Sequence, residues 1–151
     1  MKTIDPYTSG KFTSNPYAAK TPVGGSLAVV LRTKMEDRGL ALIKQPSRCL
    51  RRYDLHELIL TDEDAGPGAA VNRIAYLGFF EIEQGGVVVS GDGVWLDGRR
   101  IGTLAGFDET HMPNHLNIVI RAAALADGLD LGAALGMKIK FASAEQGDDQ
   151  R

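Results

Sequence analysis

The sequence predicts an all-β protein, a small closed or partly open β-barrel with one short helix at most. Three observations lead there. Between residues 26 and 142 the chain runs through short segments dense in β-branched and aromatic residues, each cut off by glycine or charged residues. Asp97-Gly98 stands between two such segments, "GVWL" and "RRIGTLAGF", as a two-residue type I′ hairpin requires, because both central residues must take φ > 0. Repeated long helical crossovers, which an α/β layout needs, are not visible, nor is a repeat at a period of about 20 to 50 residues that would mark a propeller or solenoid.

The elements follow in order. "SLAVVLRT" (residues 26–33) reads as a strand, "KMEDRG" as a polar turn and "LALIKQ" as a second run. "RCLRRYDLHELIL" reads as one long strand, with Tyr53, Leu55, Glu57 and Ile59 on one face and Asp54, His56, Leu58 and Leu60 on the other. Neither face is purely apolar, so a bend or bulge is expected. "TDEDAGPGAAVN" is a loop by composition, and "RIAYLGFFEIE", "GVVVSG", "GVWLDGRRIGTLAGF" and "LNIVIR" are strands. Gly102 and Gly106 mark bends that let a sheet curl. "RAAALADGL" is the one segment where helix propensity leads, enough for about two turns, and "MKIKF" (residues 137–141) is the last strand.

Residues 1–25, with Pro6, Pro16, Pro22 and Gly24-Gly25, read as an extended N-terminal arm; residues 26–142 form the single barrel domain and 143–151 a polar acidic tail. Such an arm cannot build a core of its own, but Tyr7, Phe12 and Tyr17 would let it strap across the domain or join a homo-oligomer.

With 151 residues the chain has room for one domain, and 44% hydrophobic with 24% charged residues is an ordinary globular balance. Seventeen basic against nineteen acidic residues, a net charge of −2, argue against a nucleic-acid partner. No apolar run approaches the roughly 20 residues of a membrane span, and the N-terminus lacks the apolar centre of a secretory signal, so a cytoplasmic protein without a membrane partner is expected. Cys49 is the only cysteine, which rules out an internal disulfide; it reads as a small buried apolar residue.

The chemistry concentrates in "AGFDETHMPNHLNIVI" (residues 105–120). Pro113 biases Met112 away from the helical region, so "DETHMPNH" is an irregular corner at one end of the barrel, where ligand-binding groups are commonly displayed. His111 or His115 would serve as acid and base near neutral pH, with Asp108 or Glu109 orienting the imidazole. His56 and Asn114, with Trp95 as an aromatic wall and Arg52 of "SRCLRR" as an anion grip, are candidate ligand-binding residues. A divalent metal on His56, His111 and His115 needs a tight turn, because in an extended segment four residues would hold the two loop imidazoles roughly 13 Å apart. The plain alternative is a fold-defining corner: Asp108 and Thr110 suit a turn, Asn114 tolerates left-handed backbone, and Pro-Asn turns tightly. Trp95 would then be core, and Arg52 a solvated side chain.

The runs "VNRIAYLGFFEI" and "GDGVWLDGRRIGTLAGFDETHMPNHLNIVI", residues 71–120, resemble a small bacterial family of β-barrel proteins with no assigned activity, whose most characteristic stretch is this Gly-Phe-Asp to Pro-Asn-His segment. More distantly, the order of glycine-punctuated strands ending in "LGMKIKF" looks like the barrel of the sorbitol-specific IIA component of the bacterial sugar phosphotransferase system. In that family a histidine carries a phosphoryl group; His56 in "DLHEL" lies near the expected region, but its surroundings do not match, so that role is not transferred. The sequence therefore points to a small-molecule-binding barrel for a polar or anionic metabolite, with His/Asp acid–base chemistry as its enzymatic form. A non-catalytic oligomeric interaction protein and a His-rich metal-dependent enzyme are the alternatives.

Overall fold

The computed structural model describes residues 16–143, and within them every regular element is a β-strand. They are β1 (Val23–Val30), β2 (Lys34–Met35), β3 (Leu40–Ala41), β4 (Ser47–Leu50), β5 (Leu55–Thr61), β6 (Ala70–Val71), β7 (Ile74–Gln84), β8 (Gly86–Val89), β9 (Gly93–Leu96), β10 (Arg99–Asp108), β11 (Asn117–Arg121) and β12 (Lys138–Ala142). β1, β12, β9, β10, β11, β5 and β7 are hydrogen-bonded in that succession, and β7 pairs back onto β1, so the pairings run in a ring. The result is a partly closed, barrel-like sheet. β5 and β11 are parallel; the other pairs are antiparallel. β2 extends the edge of β7 that β1 occupies, and the break between them is bridged by Leu31 N donating to Leu77 O (2.9 Å) and Tyr76 N to Thr33 O (3.0 Å).

The ring closes because the strands bend at glycines. β10 slips register between Arg100 and Gly102 and again between Leu104 and Gly106, the two positions where bends are expected from the sequence. At Gly102 a Cβ would stand 2.4 Å from Arg121 O; only hydrogen fits there. At the closure itself β1 shifts register against β7, and a Cβ on Gly78 would lie 2.0 Å from Val29 O. Asp97 and Gly98 have φ of 51° and 84°, and Leu96 pairs with Arg99 across them, as the type I′ hairpin requires.

Two cores result. Leu58, Leu60, Leu77, Phe80, Phe107, Ile118, Ile120 and Phe141 fill the barrel interior, joined by Leu50 and Val88 from the separate β4–β8 pair. On the outside, Ile59, Ile74, Ala105 and Val119 are covered by Leu40, Leu42 and Val71 of the β3–β6 pair and its flank, so this part of the sheet is buried on both faces. That explains β5, whose residues 56–61 are all buried although they alternate in direction.

Several expectations are corrected. The long strand through residues 48–60 is two strands in different sheets: Leu50 ends β4 opposite Gly86, and the chain turns through Tyr53 (φ 79°), whose N–H donates to Ile82 O at 2.7 Å, before β5 begins. The short helix over residues 121–129 does not form. Ala122 N donates to Thr61 O and Gly128 N to both Leu31 O and Tyr76 O, which commits these amides to other strands. Helix propensity differences of a few tenths of a kcal/mol per alanine do not outweigh such bonds at roughly 1 kcal/mol each. Cys49 is exposed rather than buried, because on β4 it is Leu50 that faces the core. Gly24 and Gly25 belong to β1, so strand structure starts before residue 26. Residues 1–15 of the arm, with Tyr7 and Phe12, and residues 144–151 of the tail lie outside the described residues.

Replacing Gly78 by Ala is expected to lower stability by about 1–3 kcal/mol through the clash at the β1–β7 closure. Gly66→Ala, where a Cβ meets nothing within 4 Å, should stay within about 0.5 kcal/mol. Urea-denaturation midpoints of the two variants check this; equal midpoints would contradict the closure geometry.

Candidate functional site

Side chains alternate across a strand, and the interior core fixes which way they point. Phe107, Ile118, Leu58 and Phe80 belong to the interior, so their neighbours Asp108, Asn117, Glu57 and Phe79 face outward. The register pairs Asp108 with Asn117, Asn117 with Glu57, and Glu57 with Phe79. A row thus crosses four strands on the outer surface, beneath the 109–116 loop.

Asp108 anchors that row. Its buried carboxylate accepts from Ala41 N (3.0 Å), Thr110 N (2.9 Å) and Asn117 Nδ2 (3.1 Å). Burial alone would raise its pKa, but these hydrogen bonds outweigh burial and hold the carboxyl below its ordinary range. The loop then folds through consecutive tight turns, Met112 N to Glu109 O (3.1 Å), Asn114 N to His111 O (2.9 Å) and His115 N to His111 O (3.3 Å), with a cis Met112-Pro113 bond. These turns bring His111 and His115 into a stack with ring centroids 5.0 Å apart.

His115 packs edge-on against Phe79 at 4.9 Å, and its Nε2 lies 3.3 Å from Glu57 Oε1. The contact is within ion-pair range but off the N–H axis, so Nε2 lacks an aligned hydrogen-bond partner. On its other side Asn114 Nδ2 lies 3.0 Å from Nδ1; with the amide as donor, Nδ1 is the accepting atom. Glu57 is itself buried, and burial raises its pKa, against the opposing pull of His115, His111 and Arg38. Asn117 Oδ1, on the strand beside Glu57, is also buried without a partner.

Glu57 and His111 open, with Leu31, Thr33 and Tyr76, onto a solvent-accessible cavity of about 310 Å3. Arg38 reaches the same place. Its Nε donates to Tyr76 Oη at 3.0 Å, and its Nη2 lies 3.4 Å from His111 Nε2. Arginine has no acceptor, so in a hydrogen bond between the two it is His111 Nε2 that accepts.

The sequence-derived candidates divide accordingly. His111, His115 and Asn114 are brought together. The carboxylate facing an imidazole is Glu57, whereas Asp108 is committed to backbone and Asn117, and Glu109 is paired with Arg48. His56 points the other way along β5, where Nδ1 accepts from Leu116 N at 3.1 Å and burial lowers its pKa. The trio of His56, His111 and His115 is therefore not assembled, because the β5 backbone separates His56 from the loop pair. Among the described residues no group of three or more His, Cys, Asp or Glu is placed to hold a metal ion. Trp95 lies elsewhere, nearly buried on β9 with Arg100 5.1 Å and Lys140 4.9 Å from its ring. Arg52 lies over Tyr53 (4.8 Å) in the turn after β4.

Arg38 and Tyr76 were not singled out by sequence reasoning, and Glu57 figured only as a flank of His56. A usable signal existed for Glu57: it is the one acidic residue in the run "LHELIL", which is apolar apart from His56 beside it.

Truncating Asp108 to Ala leaves three donors to find other partners and is expected to cost at least about 2 kcal/mol. The two lowered pKa values both make acid destabilising: the contribution of His56 is lost as pH falls below the ordinary imidazole value of 6.5, and that of Asp108 as pH falls below 3.8. His56→Asn keeps an acceptor for Leu116 N without the titration, so its stability curve should be flatter just below pH 6.5; an unchanged slope would contradict a depressed His56.

The comparisons add a family. No curated protein and no solved structure matches the chain. A model described as a family of unknown function, DUF6917, matches residues 17–142, which takes in the whole ring of strands, the 109–116 loop, Glu57, Arg38 and Tyr76. The chain belongs to this family of unknown function.

Proposed function

We propose that this protein binds a small polar or anionic metabolite in the cavity beside the 109–116 loop and moves a proton on it, with Glu57 as the acid–base group. The observation that carries the reading is a buried carboxyl, pushed toward its protonated form by burial, that lines an open cavity and faces a buried imidazole nitrogen at 3.3 Å. A base works best when its pKa approaches the working pH, and burial shifts Glu57 in that direction. His115 is a positioning residue. Its Nε2 lies 3.3 Å from the carboxyl, and the ring is itself held by Asn114, Phe79 and the stacked His111. An unsatisfied buried polar group costs roughly 1–3 kcal/mol, so two of them beside one carboxyl, His115 Nε2 and Asn117 Oδ1, support a functional reason for the arrangement.

The second reading, a non-catalytic protein with a structural loop, is favoured by Asp108, whose carboxylate is fully occupied in tying the loop to the sheet. The two readings divide the loop between them: its start holds the fold, and its end serves the cavity.

Proton transfer can be read without knowing the overall reaction. Acetone, dihydroxyacetone, pyruvate and lactate are incubated with the protein in D2O, and exchange of their C–H protons is followed by NMR. Wild type should accelerate exchange of at least one of them, with the rate rising as pH rises above the ordinary carboxyl value of 4.5 and Glu57 loses its proton. Glu57→Gln should lower that rate by about 100-fold or more. Absence of acceleration, or an equal rate in the variant, would overturn the acid–base role. Stability supplies a separate check. A raised Glu57 contributes most below pH 4.5, and that contribution is lost as pH rises through the raised value, so Glu57→Gln should gain on wild type as the solution is made neutral.

A further inference from the structure

We infer that the cavity's ligand is a small monocarboxylate, held by Arg38 and Tyr76 with its remaining atoms toward Glu57. This deepens the reading above and rests on the same cavity. Arg38 has five N–H donors in a planar fork. Two directions are spent within the protein, Nε on Tyr76 Oη and one Nη2 hydrogen toward His111 Nε2 at the long distance of 3.4 Å. Both of those partners line the cavity. The guanidinium is thus fixed at the cavity's rim by the groups that line it, and its other N–H donors have no protein acceptor among the described residues. A fork held in one plane matches the two coplanar oxygens of a carboxylate.

Charge narrows the choice. Arg38 is charged at any working pH, so it is the permanent cation at the cavity. Glu57 lines the same cavity, and Arg38 already acts on it electrostatically. One cation with a carboxyl beside it suits a monoanion. A phosphate dianion would bring a second negative charge next to Glu57, with no second fixed cation among the described residues that line the cavity. Size agrees: about 310 Å3 is room for roughly ten water-sized groups, enough for a few carbons beyond the carboxylate. Tyr76 Oη accepts from Arg38 Nε and lies 3.6 Å from Met35 Sδ, a weak acceptor, so its hydrogen can turn toward a bound anion at little cost. Arg38 and Tyr76 would then clamp the anion while His111 and Glu57 line the same cavity, with Glu57 as the group of proton transfer.

Lactate, acetate and inorganic phosphate, titrated at constant ionic strength and pH, test the assignment through the histidine ring protons observed by NMR. Lactate should shift His111 and His115 saturably and leave His56, on the opposite face of the sheet, unmoved. Arg38→Lys keeps the charge but loses the fork and should weaken lactate at least tenfold; Tyr76→Phe should weaken it several-fold. Arg38→Gln should abolish saturation while the His56 resonance reports an intact fold. Absence of saturable shifts with either carboxylate, or equal lactate affinity in Arg38→Gln, would overturn the proposal. Phosphate binding more tightly than lactate would overturn the carboxylate assignment as well. The outcome is separable from the exchange experiment: Arg38-dependent lactate binding without deuterium exchange would leave a carboxylate-binding protein, and Glu57-dependent exchange without Arg38-dependent binding would leave an acid–base site for another ligand.

Discussion

The Asp108 carboxylate is the constraint on which the site depends. It closes β10, and from there it ties the two segments that follow it, the 109–116 loop through Thr110 N and β11 through the Asn117 amide, to the distant outer β3–β6 flap through Ala41 N. A carboxylate buried to this degree persists only when its oxygens are matched by donors. With those donors met, the loop has a fixed start, and the tight turns that follow carry His115 over Phe79 and Glu57. Without them the flap would lose its registration with the sheet, and Arg38, just before β3, would lose its place at the cavity.

Glu57 is the opposite case. It lies in the same row and is similarly buried, but the protein does not saturate it. Burial pushes the proton on, while His115, His111 and Arg38 pull it off, and the neighbouring His115 Nε2 and Asn117 Oδ1 lack aligned partners. The row therefore holds two carboxyls with pKa values pushed apart, one lowered by donors and one raised by desolvation. This contrast separates a residue that holds the fold from one whose charge state is left available to a ligand.

The architecture explains why such a row is available. A simple barrel is wet outside, but here the β3–β6 flap builds a second core over Ile59, Ile74, Ala105 and Val119. Polar side chains at the edge of that covered patch are partly withdrawn from water while still bordering an open cavity. The interior core, filled by Phe80, Phe107, Phe141 and their neighbours, leaves the inside of the barrel to packing. The site is consequently on the outer face, between sheet, flap and loop.

Local physics determined much of this from the sequence alone. Asp97-Gly98 forms the expected hairpin because only residues tolerant of positive φ fit two adjacent left-handed positions, and Gly102 and Gly106 mark the bulges because a Cβ there meets backbone or a packed side chain. The clustering of His111, His115 and Asn114 was visible as sequence proximity, and so was the turn chemistry of Asp108 and Thr110. Tertiary structure decided the rest. It broke residues 48–60 into two strands at Tyr53 and drew residues 122–128 away from a helix by taking the Ala122 and Gly128 amides into contacts with distant parts of the sheet. It also joined Glu57 on β5, Tyr76 on β7 and Arg38 beside the flap to the loop histidines. These residues are separated by tens of positions, and only the closure of the ring and the folding of the flap set which faces meet; no local preference encodes that choice, because it depends on register between strands distant in the chain.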